Sequence, residues 1–380
     1  MPGTPQQAPP GPGLSTYPLF SRYPLLRAGL TRVPLGLWPT PVERCDGLAE
    51  RLGVGQLWVK HEDVSALPYG GNKVRKLELL LGEALMQGSR EVVTFGAAGS
   101  NHALATVLYG RQMGMAVTTF LTPQPNARYV RRNLLAQTAA GATVRYFEDR
   151  EDALNAATDH VLEQRELTGV TPYVIPMGGS SPLGVAGVVN AGMELGVQVA
   201  SGRLPVPDVV YVPFGSMGTA VGVTLGLALS DLPTRVRAVR VVPDSIADKD
   251  RARQLAADTM RLLTGIDSNV PGHEGAPLHM DVIEGFLGDG YGAFTRAGMD
   301  AIRLARSSAG LALDGTYTGK TLSAVAAADD LKDAVVLYWH TYNSRDMAPL
   351  TAGADASLLP AGARAYLERD VQPLDVGAKE

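Results

Sequence analysis

A single cysteine, Cys45, occurs in the chain. That excludes an intramolecular disulfide framework and any zinc or iron–sulfur site built from clustered cysteines, and it makes a reducing cytoplasm the expected compartment. The six histidines, at positions 61, 102, 160, 273, 279 and 340, include no pair at helical ligand spacing, so no transition metal is expected. Basic runs are missing too. The 34 Lys and Arg face 38 Asp and Glu for a net charge of −4, and no basic stripe interleaves with aromatics, which argues against a nucleic-acid partner. No uninterrupted apolar run comes near the roughly 18 to 20 residues that cross a bilayer, so no membrane partner is expected. The first thirteen residues are rich in Pro, Gly and Gln and lack the basic and apolar regions of a signal peptide. Residues 1–14 read as a disordered tail.

Glycine and proline are plentiful, 43 and 26 residues, in a composition of 45% hydrophobic and 19% charged residues that suits an α/β enzyme with many turns. At 380 residues the chain exceeds one simple core, and two domains are expected. Residues 57–60 read as a strand, and the turn cluster at 68–72 leads into a helix whose apolar positions (Val74, Leu77, Leu80, Leu81, Ala84, Leu85) recur until Gly88. Strands are then expected near 91–95, 115–121, 143–147 and 173–176, with helices at 103–113, 129–139 and 151–166 between them. A second series begins with a strand at 208–212, turns at 215–218, and continues as a helix of small residues to Leu229, with later strands at 236–242 and 334–339. Strands alternating with helices predict parallel, doubly wound sheets. The expected division is a large domain of 15–76 plus 191–380 and a small domain of 77–190.

Three glycine-bearing turns open helices. Gly70-Gly71-Asn72-Lys73 sets a lysine at a helix mouth with Lys76 and Leu77 on the same face. Cations in a first turn oppose the helix dipole, so a bound anion such as phosphate would relieve the arrangement. Gly99-Ser100-Asn101-His102 follows a strand and begins a helix, where free N–H groups can bind a carboxylate or Ser100 can simply cap. Gly215-Ser216-Met217-Gly218-Thr219 repeats that geometry as a phosphate cradle, without the Gly-Lys-Ser/Thr ending of a P-loop or a full dinucleotide fingerprint. Tyr291 and Tyr317 lie in glycine-flanked loops and become acid–base candidates if nearby cations lower their pKa.

Taken in order, Gly70-Gly71-Asn72-Lys73-Val74-Arg75-Lys76-Leu77-Glu78, Gly99-Ser100-Asn101-His102, Gly178-Gly179-Ser180-Ser181-Pro182-Leu183-Gly184, the 215–219 loop and residues 313–320 resemble one family. It is the D-cysteine desulfhydrase / aminocyclopropane-carboxylate deaminase family of pyridoxal phosphate enzymes, and the resemblance covers roughly residues 40–341. It implies a two-domain, tryptophan-synthase-β-like fold of type II, an α/β architecture in which each domain is an open, twisted, mostly parallel sheet flanked by helices, and it implies a homodimer. Lys73 would carry pyridoxal 5'-phosphate as a Schiff base. Lys76 with Gly215, Ser216, Met217, Gly218 and Thr219 would hold the phosphate. Asn101 would face the 3-hydroxyl, and Ser100, Asn101 and His102 would take the substrate carboxylate. Tyr291, Tyr317 and Ser100 would join Lys73 in catalysis, with Thr318 and Thr341 as further cofactor contacts.

Thr318 stands where the deaminases carry Glu and so resembles the desulfhydrases; a hydroxyl at the pyridine nitrogen favours eliminations that need only modest carbanion stabilisation. The expected reaction is β-elimination from a small amino acid to give a 2-oxo acid, ammonia and the leaving group. Ring-opening deamination of aminocyclopropane-carboxylate is the alternative within the same fold, and a non-catalytic binder of pyridoxal phosphate or an amino acid is the alternative of another class. The family's His-Thr-Gly-Gly is replaced by His340-Thr341-Tyr342-Asn343-Ser344-Arg345, which brings bulk and charge beside the cofactor and leaves the substrate open.

Overall fold

The computed structural model describes residues 17–272 and 278–375, so the expected tail at 1–14 and His273 lie outside the described residues. Ten strands are present among those residues: β1 (Val42–Arg44), β2 (Gln56–His61), β3 (Glu91–Ala97), β4 (Ala116–Thr122), β5 (Thr143–Tyr146), β6 (Tyr173–Ile175), β7 (Val209–Phe214), β8 (Arg235–Arg240), β9 (Met280–Ile283) and β10 (Val335–His340). They form a six-stranded sheet in the order β1-β2-β10-β7-β8-β9 and a four-stranded sheet in the order β5-β4-β3-β6. All pairings are parallel except that of the edge strand β1 with β2. This is the α/β arrangement expected. β7 is buried at all six positions of Val-Val-Tyr-Val-Pro-Phe, as a central parallel strand covered by helices on both faces must be.

Sequence reading left out several elements, including the Lys249–Ile266 and Arg296–Ala309 helices, and for three others the physical cause is plain. β1 and β9 are short edge strands, and the Pro182–Ala200 helix is apolar over most of its circumference and buries even its polar stripe of Asn190, Glu194 and Gln198, so its periodic signal is weak. That helix reaches the length and mean hydropathy of a membrane span although Asn190, Glu194 and Gln198 interrupt its apolar run; 72% of its apolar window is buried inside the fold. It starts at Pro182, with Ser181 Oγ accepting from Gly184 N at 3.3 Å. It lies against the Gly218–Ala228 helix so closely that a Cβ at Gly226 would stand 2.3 Å from the Val189 carbonyl oxygen. This close crossing fixes the helix that carries the 215–219 loop.

The loops of interest leave the C-terminal ends of parallel strands. β2 ends at His61 and feeds the turn that presents Lys73; β3 leads to Ser100, β7 to Gly215 and β10 to Thr341. In open parallel sheets that edge is where ligands bind, because strand ends and helix N-termini converge there.

Candidate active site

One cavity of about 440 Å³ lies at these strand ends, lined by Lys73, Ser100, Asn101, His102, Gly215, Ser216, Met217, Thr219, Tyr291, Tyr317 and Thr341 among others. Lys73 is half-buried as the first residue of the Lys73–Met86 helix. Burial lowers its ammonium from 10.5 to about 8, against a smaller opposing pull from Asp314. The turn before it is held by Gly71 N donating to Glu62 O at 2.8 Å and Ser65 Oγ donating to Gly71 O at 2.9 Å. Gly71 has φ +99°, a region side chains rarely adopt, which is why glycine precedes Asn72-Lys73. Asn72 ties this turn to the second cradle, with Nδ2 donating to Thr219 Oγ1 at 2.7 Å.

That second cradle is strained. Met217 has φ +65° and ψ −38°, and Gly218 N donates back to Ser216 O at 2.7 Å, closing a three-residue turn of the rarer hand. The first-turn N–H groups of Thr219 and Ala220 have no intrahelical acceptor. Behind the loop, Lys76 is fully buried and its Nζ donates to Gly178 O and Ser180 Oγ, both at 2.9 Å. No carboxylate pairs with it among the described residues, and burial, then Lys73, pushes its pKa well below the ordinary lysine value. A Cβ at Gly218 would stand 2.7 Å from Lys76 Nζ, so glycine lets the amine lie directly under the loop. Lys76 and Gly218 sit one layer behind the cavity wall. A buried amine without a counter-ion beneath a strained loop at a helix N-terminus is a donor set suited to a phosphate dianion.

The Ser100 cradle is partly self-satisfied. Ser100 Oγ accepts from Ala103 N at 3.1 Å, Ser100 N donates to Ala97 O at 2.8 Å and Gly99 N to Gln124 Oε1 at 2.9 Å. Asn101 N and His102 N, at the first two helical positions, remain without intrahelical acceptors. Asn101 Oδ1 accepts from Tyr69 Oη at 3.2 Å and Asn133 Nδ2 at 3.0 Å, which leaves its amide N–H groups as the donors on the cavity side. His102 is 2% exposed, its Nε2 3.1 Å from Thr94 Oγ1, and burial with the two lysines holds it well below the ordinary imidazole value.

The two tyrosines meet, Oη to Oη at 2.6 Å, with rings edge-on. The condition set for them as acid–base groups, a pKa lowered by nearby cations, is not met. Burial raises both, for Tyr317 well above 10, and Asp314 adds to the effect. They are protonated groups able to donate. Thr318 is fully buried and off the cavity wall; its Oγ1 donates to Asp314 Oδ2 at 2.7 Å. Asp314, which motif reading passed over, does line the cavity, and it also accepts from Thr316 N at 2.8 Å and Tyr317 N at 2.7 Å. Its position four residues before Thr318, at the start of a helix, was the available signal.

Tyr342 and Asn343 also line the cavity. Asn343 Oδ1 accepts from Gly70 N at 2.7 Å, and Arg345 turns away from the cavity to donate to Val64 O at 2.8 Å and Ala66 O at 3.1 Å. The bulk expected beside the cofactor is therefore present in Tyr342, whose hydroxyl accepts from Arg132 Nη2 at 2.7 Å, whereas the charge of Arg345 clamps the turn before Lys73.

A poised amine between two helix N-termini defines a site that fits a phosphate-bearing aldehyde together with a carboxylate. The family model described as pyridoxal-phosphate dependent enzyme matches residues 33–341, and the chain belongs to that family. It is 36% identical over 342 residues to nocardicin C-9' epimerase of Nocardia uniformis subsp. tsuyamanensis, covering 87% of this chain and 98% of the relative. It is 30% identical over 321 residues to D-cysteine desulfhydrase of Salmonella paratyphi C, covering 80% and 91%. A solved structure of an ACC deaminase homologue matches with TM-score 0.72 and 28% identity, over 90% of this chain and 99% of that one.

Proposed function

We propose that this chain catalyses pyridoxal phosphate-dependent β-elimination and deamination of an amino acid, in the manner of D-cysteine desulfhydrase. One observation carries the reading: an amine that burial brings to about 8 opens on the same cavity as two helix N-termini. Pyridoxal phosphate, when bound, supplies an aldehyde for that amine and a ring that delocalises the electron pair left by α-proton removal. The 215–219 loop and Lys76 would hold the phosphate, Asn101 Nδ2 would donate to the 3-hydroxyl, and Thr341 would offer a hydroxyl from the wall. Ser100, Asn101 and His102 orient the substrate carboxylate, His102 as a neutral ring. Lys73 Nζ, which burial lowers to about 8, would be the base that takes the α-proton. The Cβ–X bond then breaks with its electron pair on X, and Tyr317, backed by Tyr291, donates a proton to that side. Added water completes the balance: amino acid plus water gives 2-oxo acid, ammonia and HX.

The same reading takes residues 15–76 with 191–380 as the cofactor-binding domain and 77–190 as the small one. Its support is that β3 to β6 fall inside 77–190 and the other six strands outside. A cytoplasmic homodimer is part of the proposal, supported by a lone, buried Cys45 and by the family resemblance; a monomeric mass in sedimentation would remove the dimer.

The test is absorbance of the purified protein with added D- and L-cysteine while 2-oxo acid is assayed. The expected result is a visible cofactor band that is lost in Lys73→Ala and shifts with one enantiomer as product appears. A second reading, α-epimerisation, is favoured by the relative named as an epimerase, which this chain covers almost end to end. Deuterium uptake at Cα from heavy water without 2-oxo acid would select it.

A further inference from the structure

The polar groups around Lys73 account for one half of the cavity wall. The other half is apolar: Phe95, Phe120, Leu154, Val174, Met177 and Ile246. Phe95 and Phe120 are register partners on β3 and β4 with ring centroids 6.0 Å apart, and Leu154 comes from the Arg150–Thr168 helix that covers their face of the sheet. Leu154, Val174 and Met177 are 43%, 45% and 37% exposed. Three large apolar side chains left wet on the wall of a reactive cavity form a recognition surface.

What covers that surface is decided by continuity. It belongs to the same cavity as Lys73, so a group attached to the bound amino acid reaches it without crossing a barrier. The thiol of cysteine is one atom long and leaves this half uncovered. Arg150 is the one charged residue on it, and Glu148, Asp149, Glu151 and Asp152 flank it in sequence, so the rim has no net positive charge to favour an anionic tail.

We propose that this half is a subsite for a large, uncharged, apolar β-substituent, an aryl or alkyl thioether or ether, with Leu154 and Met177 setting specificity. The proposal rests on the elimination reading above and names its substrate class. The bonds that change are the same: S-benzylcysteine plus water gives pyruvate, ammonia and benzyl thiol, the Cβ–S electron pair leaving on sulfur.

The holoenzyme is assayed with both enantiomers of cysteine and S-benzylcysteine, and its cofactor band is titrated with alanine and phenylalanine, which carry no leaving group. Expected are a kcat/KM at least about tenfold higher for S-benzylcysteine and a similarly tighter half-saturation for phenylalanine. Leu154→Asp, on a solvent-facing helix position, is expected to remove both preferences while cysteine turnover stays within about twofold; Leu154→Ala gives the same direction in smaller measure. Preference for cysteine and alanine in the wild type overturns the subsite. Equal losses on small and large substrates in Leu154→Asp overturn it as well, because they indicate that this wall closes on the rest of the protein. If the band responds more tightly to phenylalanine but no substrate yields 2-oxo acid, the subsite stands and elimination falls. A band that responds to neither ligand ends both.

Discussion

Two sides of one helical turn treat buried charge in opposite ways. Arg75 points into a network in which its guanidinium meets Glu62 at 2.6 Å and Glu194 at 2.9 Å, Lys60 Nζ meets Glu194 at 2.5 Å, and Trp38 lies 3.9 Å beneath. Two cations face two carboxylates, and Thr40 and Gln198 take up remaining valences. Lys73 and Lys76, from the same turn, face the cavity side and find no carboxylate within ion-pair distance among the described residues. A buried charge is tolerated when it is paired and hydrogen-bonded, and otherwise its pKa gives way. The paired side holds the helix in place. The unpaired side is left with two amines whose pKa values burial lowers, that of Lys73 to about 8, beside helix-start N–H groups suited to a phosphate and a carbonyl compound.

Breaking the paired side has the largest expected effect. Arg75→Met leaves Glu62 and Glu194 short of a cation and should cost about 3–5 kcal/mol, read as a fall in the urea midpoint of the apoprotein at unchanged slope. Acid tests the same network more gently. Burial alone would raise the Glu194 carboxyl, but Arg75 and Lys60 outweigh it and hold the group at about 2 rather than 4.5. Its stabilisation is therefore complete above about pH 4.5 and lost as pH falls toward 2. A urea midpoint that did not decline across that window would show the network to contribute nothing.

The open side sharpens the contrast. Lys76→Met removes an amine buried without a counter-ion, so the apoprotein should be no less stable, yet pyridoxal phosphate should bind about tenfold more weakly, ~1.4 kcal/mol, by titration of the cofactor band. Loss of apoprotein stability instead would make Lys76 part of the scaffold. The smallest effect is kinetic. Because Lys73 titrates near 8, well below free lysine, reconstitution with the aldehyde should accelerate as pH rises through about 8, where the neutral amine becomes the major form. A rate still climbing steeply past pH 10 would mean that the amine is not depressed.

Local signals carried most of what was legible in advance. The strand–turn–helix rhythm at 91–147 is visible because apolar runs and glycine stops alternate there, and the Gly-Gly-Asn-Lys turn is visible because only glycine tolerates its backbone. Asp314 was harder to see: a lone acid after a strand-like stretch reads as a cap, and it is one, for the N–H groups of Thr316 and Tyr317. That this cap also faces Lys73 depends on elements more than two hundred residues apart. The direction of the tyrosine shifts was hidden for the same reason. Sequence sets both a cation, Lys320, and an acid, Asp314, three residues from Tyr317, and only packing put the two rings against each other in a buried place, where desolvation raises both phenols.

By itself, the sequence determined which residues could start helices, which turns needed glycine, and which hydroxyls and amines stood at those starts, because these are properties of a few neighbouring residues. Only the tertiary structure decided that Arg75 is paired and Lys76 is not, that Thr318 spends its hydroxyl on Asp314, and that half of the cavity is apolar. Those outcomes depend on which distant side chains arrive at one place, and burial then sets what each charge must do.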